Sequence, residues 1–201
     1  MFGQSLKNKM NVHQLIRNRR SIYPGQYSGE TIDDAIIHEI MENANWAPNH
    51  YHTEPWRFII FKGDGLVSLM HILAELYKEH SGDHFNEAKY LRYAARASQV
   101  SHAIVVVVDY SDKPNLPQVE EVEAVACSVQ NILLTVSSYP DIGGYWSSGM
   151  LVYLPEFASF LQLEDNQACL GTVYLGCLKE DAPKPKSSRK PIREKIKWVV
   201  K

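Results

Sequence analysis

The sequence predicts an α+β fold, a central β-sheet flanked by helices, and three stretches carry that prediction. Residues 103–108 read A-I-V-V-V-V, a continuous apolar run of the kind found in strands buried on both faces. Residues 168–178, A-C-L-G-T-V-Y-L-G-C-L, read as a second buried strand. Between them, residues 118–139 open with Glu120, Glu121 and Glu123, which suit the N-terminal end of a helix dipole. They continue through Ala124, Val125, Val129, Ile132, Leu133 and Val136, nearly apolar all round, as in a helix at the centre of a core.

The remaining elements follow in chain order. Val12, Leu15 and Ile16 have helical spacing and run into R-N-R-R-S-I-Y-P-G. Thr31 is placed to cap a helix over 32–45, with Asp33 and Asp34 in its first turn and Ile36, Ile37, Ile40, Met41 and Ala44 as its apolar face. Residues 46–54 then form a loop. Pro48 and Pro55 stiffen it around Asn49, His50, His52, Thr53 and Glu54, so the polar groups are presented rather than buried. Residues 57–61 read as a strand, and 66–80 as a helix through Leu66, Leu69, Met70, Leu73, Leu76 and Tyr77. Residues 87–98 look helical, with Tyr90, Leu91 and Ala94 on one side. Residues 141–151, D-I-G-G-Y-W-S-S-G-M-L, are either a glycine turn entering a strand or a place where backbone approaches a ligand. A short helix over 154–163 has Pro155 in its first turn. From Lys179 the composition turns basic.

Composition narrows the function classes. A chain of 201 residues is long enough for one domain with a sizeable core, so 1–201 is expected to be a single domain. A formal net charge of -2 gives no reason to expect nucleic acid or a membrane as partner. No apolar run is long enough to span a bilayer, and residues 1–10 lack the apolar centre of a leader. Cys127, Cys169 and Cys177 are odd in number, spread out and in apolar surroundings. They read as buried thiols of a reducing compartment, hence an expected cytoplasmic location. His50 and His52 form H-Y-H, but His84 and His102 lie elsewhere, short of the three or four converging ligands of a metal site. No nucleophile elbow and no glycine-rich dinucleotide fingerprint is present.

Arg19, Arg20 and Ser21 have two readings. The cations complement a helix C-terminus, or two guanidiniums and a hydroxyl hold an anion such as a phosphate. A wider pattern bears on this choice. R-R-S at 19–21, A-P-N-H…E-P-W at 47–56, the valine strand, G-G-Y-W-S-S-G at 143–149 and R-K-P-I at 189–192 occur in that order. The chain thereby resembles the nitroreductase family, enzymes that use flavin mononucleotide (FMN), from about Val12 to Trp198.

The resemblance implies a nitroreductase-like fold with a central mixed sheet, an intertwined homodimer, and two FMN sites at the interface. Residues 180–201 would form a C-terminal arm over the partner. Arg19, Arg20, Ser21 and Arg189 would hold the phosphate. Asn49 and His50 of the other subunit would close on the ring, and Trp146, Ser147, Ser148 and Gly149 would lie along it, with the Ser148 N–H facing flavin N5. Ser147 stands where relatives have an arginine. Electrons would pass from NAD(P)H through FMN to a nitroaromatic, a quinone or a similar small acceptor, with no side chain acting as acid or base. An enone or halogenated phenol is another acceptor class. A protein that stores or senses FMN, with 81–100 as a lid, is the alternative of a different kind.

Overall fold

The computed structural model describes residues 11–183 and 185–200; the stretch read for a leader, 1–10, lies outside them. The helices are α1 (Val12–Asn18), α2 (Asp34–Asn45), α3 (Asp64–His80), α4 (Glu87–Arg96), α5 (Gln118–Ser138) and α6 (Pro155–Phe160). The strands are β1 (Trp56–Phe61), β2 (His102–Asp109), β3 (Ile142–Ser147) and β4 (Gln167–Cys177), in the sheet order β1-β2-β4-β3.

All three strand pairings are antiparallel among the described residues, which corrects the expected mixed sheet. The connections explain it. Helices α3 and α4 pack against each other as an out-and-back pair, so the chain re-enters the sheet at the end it left, and β2 runs against β1. A single helix, α5, joins β2 to β3, which therefore point the same way. They are not neighbours, because β4 inserts between them and runs against both, as in a split β-α-β unit.

Strand β2 is buried along nearly its whole length, as its valine run predicts. Ile104, Val106 and Val108 meet Ile37 and Ile40 of α2 and Val125, Val129 and Ile132 of α5. Ala103, Val105 and Val107 face the other layer, with Leu66, Leu69 and Leu73 of α3 and Phe157 of α6. Successive strand residues point to opposite faces, so an unbroken apolar run needs cover on both sides and here has it.

Helix α2 begins later than expected, capped by Asp33 rather than Thr31: Asp33 Oδ1 accepts the Ala35 N–H at 2.9 Å. The reason lies just before β2. The Ile32 N–H donates to Ser101 Oγ at 2.7 Å, which holds buried Ile32 in the segment before the helix. Ser101 Oγ lies 2.8 Å from His102 Nδ1. Where the hydroxyl donates its proton to Nδ1, a neutral His102 carries its own proton on Nε2. That nitrogen lies 3.4 Å from Asp34 Oδ1, and Asp34 is in turn bonded to Lys62.

Burial pulls the His102 pKa below its ordinary 6.5, against the opposing pull of Asp34 and with the added push of Lys62. Chiefly its bond to Lys62, despite a smaller opposing effect of burial, holds Asp34 below its ordinary 3.8. For both groups the unfolded chain takes up protons more readily than the folded one, so stability falls as pH falls. The loss starts below 6.5 for His102 and below 3.8 for Asp34. A urea midpoint that drops from pH 7.5 to pH 5.5, with the drop reduced in His102→Gln, is the expected result; equal slopes in the two proteins would refute the assignment.

Candidate functional site

Helix α1 carries a capping box, Asn11 with Gln14, and ends where Arg19 leaves helical geometry. The segment after it runs beside β3, fixed by the Ile22 N–H donating to the Gly144 carbonyl at 3.0 Å. Tyr27 anchors it from within. Its buried ring packs on Gly176 and Gly143, and its hydroxyl donates to the Ile22 carbonyl at 2.6 Å. Arg19, Arg20 and Ser21 are therefore held at the edge of the sheet beside β3.

The two arginines part company. Arg20 turns back on the chain: it donates to the carbonyls of Arg17 at 2.6 Å, Arg19 at 2.8 Å and Pro185 at 3.1 Å. It ties the end of α1 to the C-terminal segment. The Arg19 guanidinium makes no hydrogen bond or ion pair with any described group. It is half-buried, and its pKa lies below that of an ordinary guanidinium, first through burial and then through the charges of Arg189 and Arg20. Arg189, more than 160 positions away in the chain, is thus brought within electrostatic reach. Its own guanidinium leans on Ser187 Oγ and the Ser188 carbonyl. Cations gathered without a carboxylate are costly to hold, and an anion relieves the cost. The Ser21 hydroxyl has no described partner beside them.

The second half of the site is at the C-terminal end of β3. Ile22 lies opposite Gly144, and Ser148 is four residues further along the strand direction, roughly 13 Å away at strand rise. The expected glycine turn is a strand itself, β3, and the chain leaves it at Ser148. The N–H groups of Ser148 and Gly149 donate to no described acceptor. Beside them β4 carries a bulge, where Leu170 has no partner on β2. Gly171 in that bulge has φ +128, and a Cβ there would stand 2.6 Å from both the Ser147 carbonyl oxygen and Trp146 Nε1. That indole N–H is buried and lacks an acceptor among the described groups. Free donors at a strand end beside a bulge form a place for an electron-rich partner.

The 46–54 loop is strained. Tyr51, His52 and Glu54 all have positive φ, at 54°, 54° and 44°. Asn49 Oδ1 accepts the Glu54 N–H at 3.1 Å and closes the loop from inside. His50 Nδ1 lies 2.5 Å from Glu120 Oε2 at the start of α5, and the imidazole stacks on Tyr51 with centroids 4.1 Å apart. Lys113 reaches the Tyr51 carbonyl from the other side.

The comparisons with known proteins decide the class. The pattern described as Nitroreductase family matches residues 16–177. The chain belongs to the nitroreductase family. A Bacillus subtilis (strain 168) protein provisionally named NAD(P)H nitroreductase YfhC is 30% identical over 186 residues, covering 92% of each chain. A nitroreductase-like family protein from Bacillus cereus has a solved structure that covers 97% of this chain and 99% of its own, at 25% identity and TM-score 0.78. A structure from Desulfovibrio desulfuricans, solved in complex with FMN, covers 96% and 99% at 24% identity and TM-score 0.72.

Within this nitroreductase-family chain, the fold holds the segment after α1 beside β3 at Gly144, with Arg189 in electrostatic reach of Arg19, and β3 itself carries Trp146 and Ser147 and leads to Ser148 and Gly149. The fold does not aim Arg20 at the same point, and it docks His50 on the chain's own α5. The residues that the sequence reading missed are Glu120 as the partner of His50, Tyr27 as the anchor and Gly171 as the bulge. Only the last had a local signal, a glycine inside an apolar strand. In the segment 81–100, α4 is clamped to α3: Tyr90 donates to Glu75 at 2.6 Å and Lys89 Nζ sits 4.4 Å from the Tyr77 ring centre. Cys169 is buried with its thiol pKa pushed up to about 11, and Cys127 and Cys177 are half-buried. Among the described residues no helix is long and apolar enough to cross a membrane, and no cluster of metal-ligating side chains occurs.

Proposed function

We propose that the protein is an FMN-dependent oxidoreductase that draws electrons from NAD(P)H and delivers them to a nitroaromatic, a quinone or a similar small acceptor. The observation that carries the reading is the unpaired Arg19 guanidinium within reach of the Arg189 charge, with the free N–H groups of Ser148 and Gly149 where β3 ends. A dianionic phosphate suits the first, and an electron-rich ring edge the second. When bound, FMN supplies the hydride chemistry, and the protein binds and orients it. Arg19, Ser21 and Arg189 hold the phosphate, while Arg20 braces the C-terminal segment around it. Trp146, Ser147, Ser148 and Gly149 border the ring, and Asn49 and His50 close over it from a second subunit. The family membership and the FMN complex of the Desulfovibrio relative support this reading.

The working unit is a homodimer whose arms, residues 180–201, lie over the partner. Ile192, Ile196, Trp198, Val199 and Val200 are exposed in the isolated chain, and apolar groups on an extended arm call for a cover. The test is to load the protein with FMN, remove the excess and record the visible spectrum. Retained flavin bands at roughly 450 nm that bleach anaerobically with NADH or NADPH, and return on addition of a quinone, are expected. Bands that form but do not bleach would replace the reductase with a storage protein. A colourless protein would overturn the site.

A further inference from the structure

His50 has a partner 70 positions away in the chain. We propose that Glu120 is the positioning residue for His50: its carboxylate fixes Nδ1 as a donor and so decides what the other ring nitrogen offers to the cofactor. The inference rests on the preceding reading of His50 as a group that closes over FMN.

A carboxylate only accepts, so at 2.5 Å from Glu120 Oε2 the His50 Nδ1 carries the proton. Nε2 bonds to no described group and is the nitrogen left for a ligand. With the proton on Nδ1, Nε2 presents a lone pair and accepts. An acceptor there takes a bond from an N–H or O–H of the cofactor and repels an electron-rich atom.

Three features make this a built orientation. The Tyr51 ring stacks on the imidazole at 25° between planes, which removes its rotational freedom. The loop holds that stack with left-handed backbone at Tyr51 and His52, and strain of this kind persists where surrounding structure imposes it. The Lys113 ammonium fixes the Tyr51 carbonyl and sits 5.4 Å from the Tyr51 ring centre. The pair contributes little to folding, because the His50 and Glu120 side chains are 57% and 36% exposed. What it controls is tautomer and aim, the usual service of a carboxylate behind a histidine.

Two measurements test it, the first without any cofactor. Nitrogen-15 shifts of His50 in the apoprotein report which nitrogen is protonated. Wild type is expected to show the Nδ1–H form, Glu120→Gln a mixture with Nε2–H, and Glu120→Asp a return toward wild type. The second is the FMN dissociation constant from equilibrium dialysis. Glu120→Gln and His50→Gln are each expected to raise it about fivefold, and the double variant no further. A wild-type tautomer in Glu120→Gln, or an unchanged dissociation constant in that variant, overturns the role of Glu120 alone. A wild-type protein that retains no FMN overturns the cofactor reading and this inference with it.

Discussion

Gly176→Ala is expected to cost about 3 kcal/mol or more, read as a lower urea midpoint at unchanged slope. A Cβ at that position would stand 2.4 Å from Tyr27 Cδ2 and 2.5 Å from Cγ. These are ring atoms of a fully buried side chain, not the free end of a flexible one. The ring cannot retreat, because its hydroxyl is tied to the Ile22 carbonyl and its backbone N–H to Pro24. Gly25→Ala is the control: nothing lies within 4 Å of its Cβ position, and the change is expected within about 0.5 kcal/mol. Tyr27→Ala alone should cost about 3 kcal/mol or more through the cavity it leaves. The double variant Tyr27→Ala with Gly176→Ala should cost clearly less than the sum, since the clash disappears with the ring. Additive costs would refute the packing argument.

The second large effect concerns the phosphate. Arg19→Glu is expected to weaken FMN binding by about a hundredfold or more, and Arg19→Ala by about ten- to a hundredfold, given the 1.5–3 kcal/mol typical of a bond to a charged group. Arg189→Ala should weaken it by a similar amount. Arg20→Ala should act differently. Its guanidinium holds the carbonyls of Arg17, Arg19 and Pro185, so its loss lowers the thermal midpoint and loosens the C-terminal segment, with a smaller effect on the flavin. Equilibrium dialysis against FMN and thermal melts separate the two roles. If Arg20→Ala lost flavin as severely as Arg19→Glu at an unchanged midpoint, the division of labour between neighbouring arginines would be wrong.

Much of the layout was legible because it is local. The valine run of β2, the glutamates that open α5 and the proline at the start of α6 each act within a few residues, and each element lies where they put it. The start of α2 was misread by two residues because Ser101, far along the chain, holds the Ile32 N–H. Strand direction was misread for a similar reason: it depends on whether a connection runs out and back or crosses once, which no strand encodes. In the site, the motifs located the right segments, yet not the use of each side chain. Neither the Arg20 bond to Pro185 nor the Glu120 contact with His50 leaves a mark on the residues around it, because both join distant parts of the chain. Tyr27 is the clearest omission. It sits in a polar turn by composition and becomes a core residue only once Gly143 and Gly176 are beside it.

The insertion of β4 between β2 and β3 has a consequence for how the molecule is made. The strand that completes the sheet is the last of the four to be synthesised, and it is an inner one. A nascent chain that has not yet released Cys177 holds β1 paired with β2 on one side and a solitary β3 on the other, with a gap one strand wide between them. Such an opening exposes two unpaired backbone edges to whatever extended segment is nearby. Pairings over long sequence separations are also slow to form. Fast elongation or a C-terminal truncation should therefore produce aggregates rather than a smaller soluble fragment, and a chaperone that shields edges should help most in the interval before β4 emerges.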